Sequence, residues 1–234
     1  MYLLSIESSA KNFALAVLKD GKVLRFRNVK SNKVLENSII KGIDGILKAS
    51  GISLSKIDAF AVGLGPGSFT SLRVGLSTVK GLALGLNKPV VGLCSLDIIA
   101  HGAAGTDCDE ICAVVDARRN LVYSAVFKKT QTGLKRKGDY QLSDLKTLLD
   151  SVQGKTLFVG DGLALYRQGI EAAYASCKEN CTATFAKEDK WYPKPQVLGA
   201  LSYARLLKGG ADDLGKLLPM YLYASDCQVD RKNK

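Results

Sequence analysis

Val114-Val115-Asp116-Ala117-Arg118 begins the second half of this chain as Ser5-Ile6-Glu7-Ser8-Ser9 begins the first. Each is an apolar strand that ends in an acid and a short polar turn. Each is followed by an alternating strand, Phe13 to Val17 in one half and Val122 to Val126 in the other. A third strand comes next: Lys22 to Asn28 after the hairpin signal Asp20-Gly21, and the basic Gly133 to Tyr140 in the second half. Helical spacing then predicts helices over Val34 to Leu47 and over Ser143 to Val152, with Ser143 as N-cap. Apolar strands ending in Gly63-Leu64-Gly65 and in Gly160-Asp161-Gly162 follow in turn. Further helices are expected from Ser68 to Leu86, Leu96 to Ala104, Gly162 to about Ser176 and Pro195 to Lys208.

A pattern that restarts midway is an internal duplication. Strands alternating with helices make each half α/β, of βββαβαβα type. The expected division is 1–105 for the first half and 106–210 for the second, with a C-terminal segment near 211–234 returning to the first. An acid at the end of a first strand beside a hairpin is where a metal-phosphate site can form. Glu7, Ser8, Ser9 and Asp116 are therefore the candidate phosphate-type positions, facing each other across a cleft.

Composition excludes several classes. With 47% apolar and 24% charged residues in 234, the chain is neither disordered nor collagen-like. The longest uncharged run, Ala59 to Leu72, has 14 residues and is broken by Gly65-Pro66-Gly67, too short for a membrane span. Glu7 interrupts the first apolar stretch and no basic segment precedes it, so a cytoplasmic location is expected. Six cysteines are too sparse for a disulfide scaffold, and the Cys108/Cys112 and Cys177/Cys181 pairs read as free thiols. The formal charge is +11, concentrated after residue 117. Arg118, Arg119, Lys135, Arg136 and Lys137 are candidate polyanion contacts, and the C-terminal Arg231-Lys232-Asn233-Lys234 adds to the excess.

The most distinctive stretch runs Gly63-Leu64-Gly65-Pro66-Gly67-Ser68-Phe69-Thr70-Ser71-Leu72-Arg73-Val74-Gly75. It is a strand, a tight turn and a helix start with Ser68 as N-cap. In that helix Phe69, Leu72, Leu76, Val79, Ala83 and Leu86 make one stripe, while Ser71, Gly75, Thr78, Gly81 and Gly85 leave a flank free of bulk. Interior glycines cost a helix about 1 kcal/mol each relative to Ala, which close approach of another backbone can offset. Phe69, Ser71, Leu72, Gly75, Leu76, Thr78, Val79 and Leu82 are therefore the expected partner interface.

Together with Lys88-Pro89-Val90-Val91-Gly92-Leu93-Cys94-Ser95-Leu96-Asp97, Val115-Asp116-Ala117-Arg118-Arg119, Pro193-Lys194-Pro195 and Leu218-Pro219-Met220-Tyr221, these stretches resemble the bacterial TsaB family, also called YeaZ. The resemblance covers nearly the whole chain. It implies the actin-like duplication shared with sugar kinases and Hsp70 (the ASKHA, ribonuclease-H-like fold). It also implies that the Ser68–Leu86 helix and the one before it are dimerisation elements. The family usually has Asp where Glu7 stands here, Thr at Ser8 or Ser9, and Gly at Ser71.

TsaB proteins are paralogues of TsaD, which modifies adenosine 37 of tRNA. TsaD holds a metal through two histidines at i and i+4 of a helix, a spacing that puts both on one side. By the resemblance, those positions here are Ser95 and Ile99. The expected function is thus a non-catalytic subunit that pairs with TsaD, alongside the ATPase TsaE, to support threonylcarbamoyl transfer to tRNAs reading ANN codons. No cofactor is expected in this chain alone, with ATP and a metal in the partner subunits. A homodimer is expected when the chain is isolated, and tRNA is expected to be reached through the complex. The alternatives are a metalloendopeptidase-like enzyme, carrying an old glycoprotease label, a small-molecule kinase using Asp116, and a direct tRNA-binding module. The single histidine, His101, offers neither an H-E-x-x-H pair nor a Ser/His/Asp set.

Overall fold

The computed structural model describes residues 1–10, 12–29, 35–105, 107–152, 154–176 and 181–222. Two five-stranded sheets form. The first contains β1 (Tyr2–Glu7), β2 (Phe13–Lys19), β3 (Lys22–Val29), β4 (Ala59–Gly63) and β5 (Val90–Leu93), in the order β3-β2-β1-β4-β5. The second contains β6 (Glu110–Asp116), β7 (Val122–Thr130), β8 (Gly133–Ser143), β9 (Lys155–Val159) and β10 (Thr182–Phe185), in the order β10-β9-β6-β7-β8. Taken from β8, the second order repeats the first strand for strand. In both sheets the first three strands are antiparallel and the last two add in parallel. The expected duplication is present, each half completed by three helices: α1 (Leu35–Ala49), α2 (Phe69–Leu86) and α3 (Ser95–Gly102), then α4 (Leu145–Asp150), α5 (Leu163–Ala175) and α6 (Pro195–Leu206).

The period of two along β1 assigns its faces. Leu4 and Ile6 point into a core made with Ile39, Ile43 and Ile46 of α1 and Leu76 and Val79 of α2. Leu3 points the other way, into a core made with Ile98 and Leu198. Ser5 shares that face and donates from Oγ to the Pro195 carbonyl at 2.7 Å, fixing the start of α6. Gly199 is required there, because a Cβ would strike Leu18.

The last helix of each half crosses to the other half's sheet. α6 packs on β1 and β2, and α3 packs on β6 and β7. Leu96, Ile99 and Ala100 of α3 bury against Ile111, Ala113 and Phe127 of the second sheet. Tyr140 of β8 then donates to Asp97 Oδ2 of α3 at 2.6 Å. Two exchanged helices therefore tie the two halves together. Asp212, Leu217 and Met220 make contacts with the first half. Asp212 N donates to the Val90 carbonyl at 2.8 Å, Leu217 enters the first core, and Met220 N donates to the Leu64 carbonyl at 2.8 Å.

Local corrections follow physical preferences. Asp144, not Ser143, caps α4: its carboxylate accepts Thr147 N at 2.8 Å, and Ser143 closes β8. Asp20 and Gly21 have φ of 48° and 75°, the left-handed pair that the β2–β3 hairpin needs. The Cys108 and Cys112 thiols are buried in cores on opposite faces of the second sheet, so they cannot share a metal. Cys181 is disulfide-bonded, against the free-thiol reading. Cys177, Val34 and the basic residues 231–234 lie outside the described residues.

Candidate functional site

The ends of β1 and β6 face a cleft of about 620 Å³ between the halves. Ser9, Gly67 and Ser68 line it from the first half, Asp116, Arg118 and Asp161 from the second, with Ser95 and Ile99 of α3 at the seam. Trp191 and Tyr192, ahead of α6, add aromatic surface. Of the four phosphate-type candidates, Ser9 and Asp116 line this cleft. Glu7 instead borders a smaller neighbouring cavity of about 270 Å³, and Ser8 is buried behind it.

Glu7 is 2% exposed. Its Oε1 accepts Ser9 N at 2.8 Å, and its Oε2 is the acceptor for Ser95 Oγ at 3.5 Å. Among the described residues no cation pairs with it, and burial raises its carboxyl from 4.5 to about 7, the bonds from Ser9, Ser8 and Ser95 opposing this only in part. The Ser8 hydroxyl is buried without a partner among the described residues.

The glycine-rich stretch explains how this pocket is packed. A Cβ on Gly63 would strike the Glu7 carboxylate, one on Gly67 the Ser9 backbone, and one on Gly75 the Ser8 hydroxyl. Three glycines thus clear space for three successive residues of the β1 turn. Ser68 occupies the N-cap position of α2, but its side chain makes no capping bond. Its Oγ lies 2.9 Å from Ser71 Oγ instead.

The second half builds a related corner differently. Asp161 Oδ1 accepts Asp116 N at 3.2 Å, and Asp116 Oδ1 accepts Arg118 N at 2.9 Å. Burial raises the Asp161 carboxyl, with the Asp116 charge adding to it. Gly160, at φ 129°, lets this loop lie on the Val114 carbonyl. Arg118, Arg119 and Asn120 are all left-handed, with φ of 67°, 51° and 61°, so the β6–β7 turn holds Arg118 over Asp116, Nε to Oδ2 at 3.6 Å. Sequence reasoning missed Asp161, Trp191 and Tyr192, whose arrival at the cleft depends on the β9 loop and the entry to α6. The Gly160-Asp161-Gly162 repeat was the available signal for the first.

The basic candidates are unequally available. Lys137 Nζ is 3.0 Å from Glu110 Oε1 and 3.4 Å from the Ser151 carbonyl, so its charge is engaged, against expectation. Arg136 stacks 3.9 Å over Tyr140 and donates to the Gly138 carbonyl. Lys135 stands directly opposite Lys128 in the β7–β8 ladder, two like charges on an exposed edge.

The expected partner surface on α2 needs a larger correction. Leu72, Gly75, Leu76 and Val79 are buried within the chain, because the apolar stripe covers the first sheet and Gly75 accommodates Ser8. Leu82 packs against the same core, and Ser71 and Thr78 are half-buried. The open face carries Thr70, Arg73, Ser77, Gly81, Leu84 and Gly85, with Phe69 exposed at its start. Gly81 and Gly85 meet nothing within 4 Å, and Leu84 is 74% exposed. Helix α1 adds exposed Ile40.

Two βββαβαβα halves with exchanged terminal helices around a central cleft define the actin-like class of α/β proteins. A solved protein of Pseudomonas aeruginosa, described as similar to peptidase YEAZ, shares the fold with a TM-score of 0.78 at 23% identity, over 95% of this chain and 99% of that one. The family model described as TsaD, tRNA N6-adenosine threonylcarbamoyltransferase, matches residues 30–226. The tRNA threonylcarbamoyladenosine biosynthesis protein TsaB of Haemophilus influenzae is 31% identical over 182 residues, 72% of this chain and 75% of that protein. The TsaB protein of Escherichia coli is 33% identical over 135 residues, 57% of this chain and 58% of that protein. The chain belongs to the TsaB family, within the wider family that the TsaD model describes.

Proposed function

We propose that this chain is the accessory subunit of a tRNA threonylcarbamoyladenosine-forming complex, without transferase activity of its own. It pairs with a TsaD-type transferase and works alongside a TsaE-type ATPase, and tRNA reading ANN codons is reached through the assembly. ATP and the catalytic metal belong to those partners. The observation that carries this reading is the pair Ser95 and Ile99. They stand at the cleft seam, 1% and 2% exposed, where the resemblance places the two metal-binding histidines of the transferase. A serine hydroxyl is a poor ligand for iron or zinc, and an isoleucine is none.

The partner surface is the open face of α2, with Ser77, Gly81 and Gly85 spaced by four so that another helix can approach closely, and with Leu84 as an exposed apolar contact. The same face serves a homodimer when the chain is alone. Arg119, Lys128 and Lys135 are the cations proposed to face tRNA in the assembly. The endopeptidase-like alternative finds no support at the site. His101 lies with Nδ1 2.8 Å from the Asp97 carbonyl of its own helix and its ring edge against Phe127.

The test is reconstitution. Purified chain given threonylcarbamoyl-adenylate and tRNA should form no modified nucleoside, and adding the transferase subunit should produce it. Turnover by the chain alone would overturn the reading.

A further inference from the structure

Arg73 lies four residues before Ser77 on the open face of α2. Its guanidinium stacks on Phe69, 3.8 Å from the ring centroid, and its Nε donates to Tyr221 Oη at 2.8 Å. The Phe69 and Tyr221 rings lie 5.3 Å apart at 36°. The Met220 N bond to the Leu64 carbonyl pins the segment that carries Tyr221. The cluster is therefore held in place before any partner arrives. It is nevertheless exposed: Phe69 53%, Tyr221 47%, and Leu218, three residues earlier, 68%.

Two aromatic rings and an arginine, fixed and open to water beside an apolar helix face, have the composition of an interface hot spot. The charge is also unanswered among the described residues. Nε is spent on Tyr221, while the two terminal amino groups face no carboxylate within ion-pair reach among the described residues. None of the 18 residues of α2 is acidic, and neither is any residue from Leu214 to Leu222. A second copy that docked α2 on α2 would offer Arg73 no carboxylate from α2 or from residues 214–222, and Asp44 of its α1 is already paired with Lys48 at 2.8 Å. Covering a guanidinium without giving it a partner is costly.

We propose that the Phe69–Arg73–Tyr221 cluster anchors the TsaD-type partner, with Arg73 receiving a carboxylate of that partner, and so favours the paralogue over a second copy of this chain. This rests on the α2 face being the partner surface. It makes the C-terminal segment a third element of the interface beside α1 and α2. It assigns the partner's matching patch a chemistry: a carboxylate in reach of a bidentate guanidinium, flanked by apolar groups that cover Phe69 and Leu218.

The experiment compares the full chain with Arg73→Gln, Phe69→Ala and Gly81→Leu. Heterodimer affinity for the purified transferase subunit is measured by titration calorimetry, and self-association by sedimentation equilibrium. Arg73→Gln and Phe69→Ala should each weaken the heterodimer at least about tenfold. Arg73→Gln should leave self-association unchanged or tighter and reduce the salt sensitivity of the heterodimer alone. Unchanged heterodimer affinity in Arg73→Gln, with Gly81→Leu abolishing the complex, would overturn the anchor and leave the α2 face standing. Equal weakening of both associations would overturn the choice between partners. No effect from any of the three variants would overturn the α2 face itself.

Discussion

Glu7 gives the sharpest physical test of the site as described. Its carboxylate is buried among Ser8, Ser9, Ser95 and Gly63 with no cation paired to it among the described residues, and its folded value is raised from 4.5 to about 7. A carboxyl raised by folding leaves stability untouched below its unfolded value and removes stability as pH climbs through the folded one. Each unit of difference is worth about 1.4 kcal/mol, so at pH 8 the folded state should be about 3 kcal/mol less stable than at pH 4 on account of Glu7, as an upper bound. Glu7→Gln keeps the shape. Its amide oxygen can accept Ser9 N, and its amide nitrogen can face Ser95 Oγ. Urea unfolding at pH 4, 5, 6, 7 and 8 should show the variant gaining on the parent mainly between pH 4.5 and 7, the interval between the unfolded and folded values, with little further change from pH 7 to 8. Parallel profiles, or a variant less stable at pH 8, would refute the account of Glu7 as an uncompensated buried acid.

Other perturbations separate packing from docking. Gly75→Leu should lower stability by several kcal/mol or prevent folding, since its Cβ would strike Ser8, and thermal melting reads this directly. Gly81→Leu should leave the melting temperature within a few degrees, because the position is open, while reducing self-association in sedimentation. Lys135→Glu should act in opposite directions on two readouts. It removes the like-charge pair with Lys128, adding a few tenths of a kcal/mol to stability, and it weakens tRNA binding by the complex with a shallower salt slope. Gly63→Ala should destabilise more at pH 8 than at pH 5, because crowding the Glu7 carboxylate penalises its ionised form further.

The duplication was legible because it is written in local pattern. Val114–Arg118 repeats Ser5–Ser9, and the strand order follows. The exchange of α3 and α6 was not legible, since apolar spacing says that a helix is buried and not which sheet buries it. The α2 surface shows the same limit more sharply. Periodicity found both the apolar stripe and the small flank, yet Gly75 and Gly81 look alike in sequence. Only the approach of Ser8 makes one a packing residue and leaves the other in the open. Lys137 reads in sequence like its basic neighbours, and only the sheet order, which puts Glu110 two strands away within 3.0 Å, sets it apart. The Arg73 cluster depends on Tyr221, distant in sequence, and no local signal joins them.

The measurement that bears most directly on the proposed role is the yield of threonylcarbamoyladenosine in tRNA from a reaction holding the TsaD-type subunit, the ATPase, ATP and threonylcarbamoyl-adenylate. It is run without this chain, with it, and with Gly81→Leu, and a control holds the chain but omits the transferase subunit. The accessory role predicts full product only with the unaltered chain and the transferase subunit together, and little or none in the other reactions. Equal product with and without the chain, or product from the chain in the absence of the transferase subunit, would contradict it.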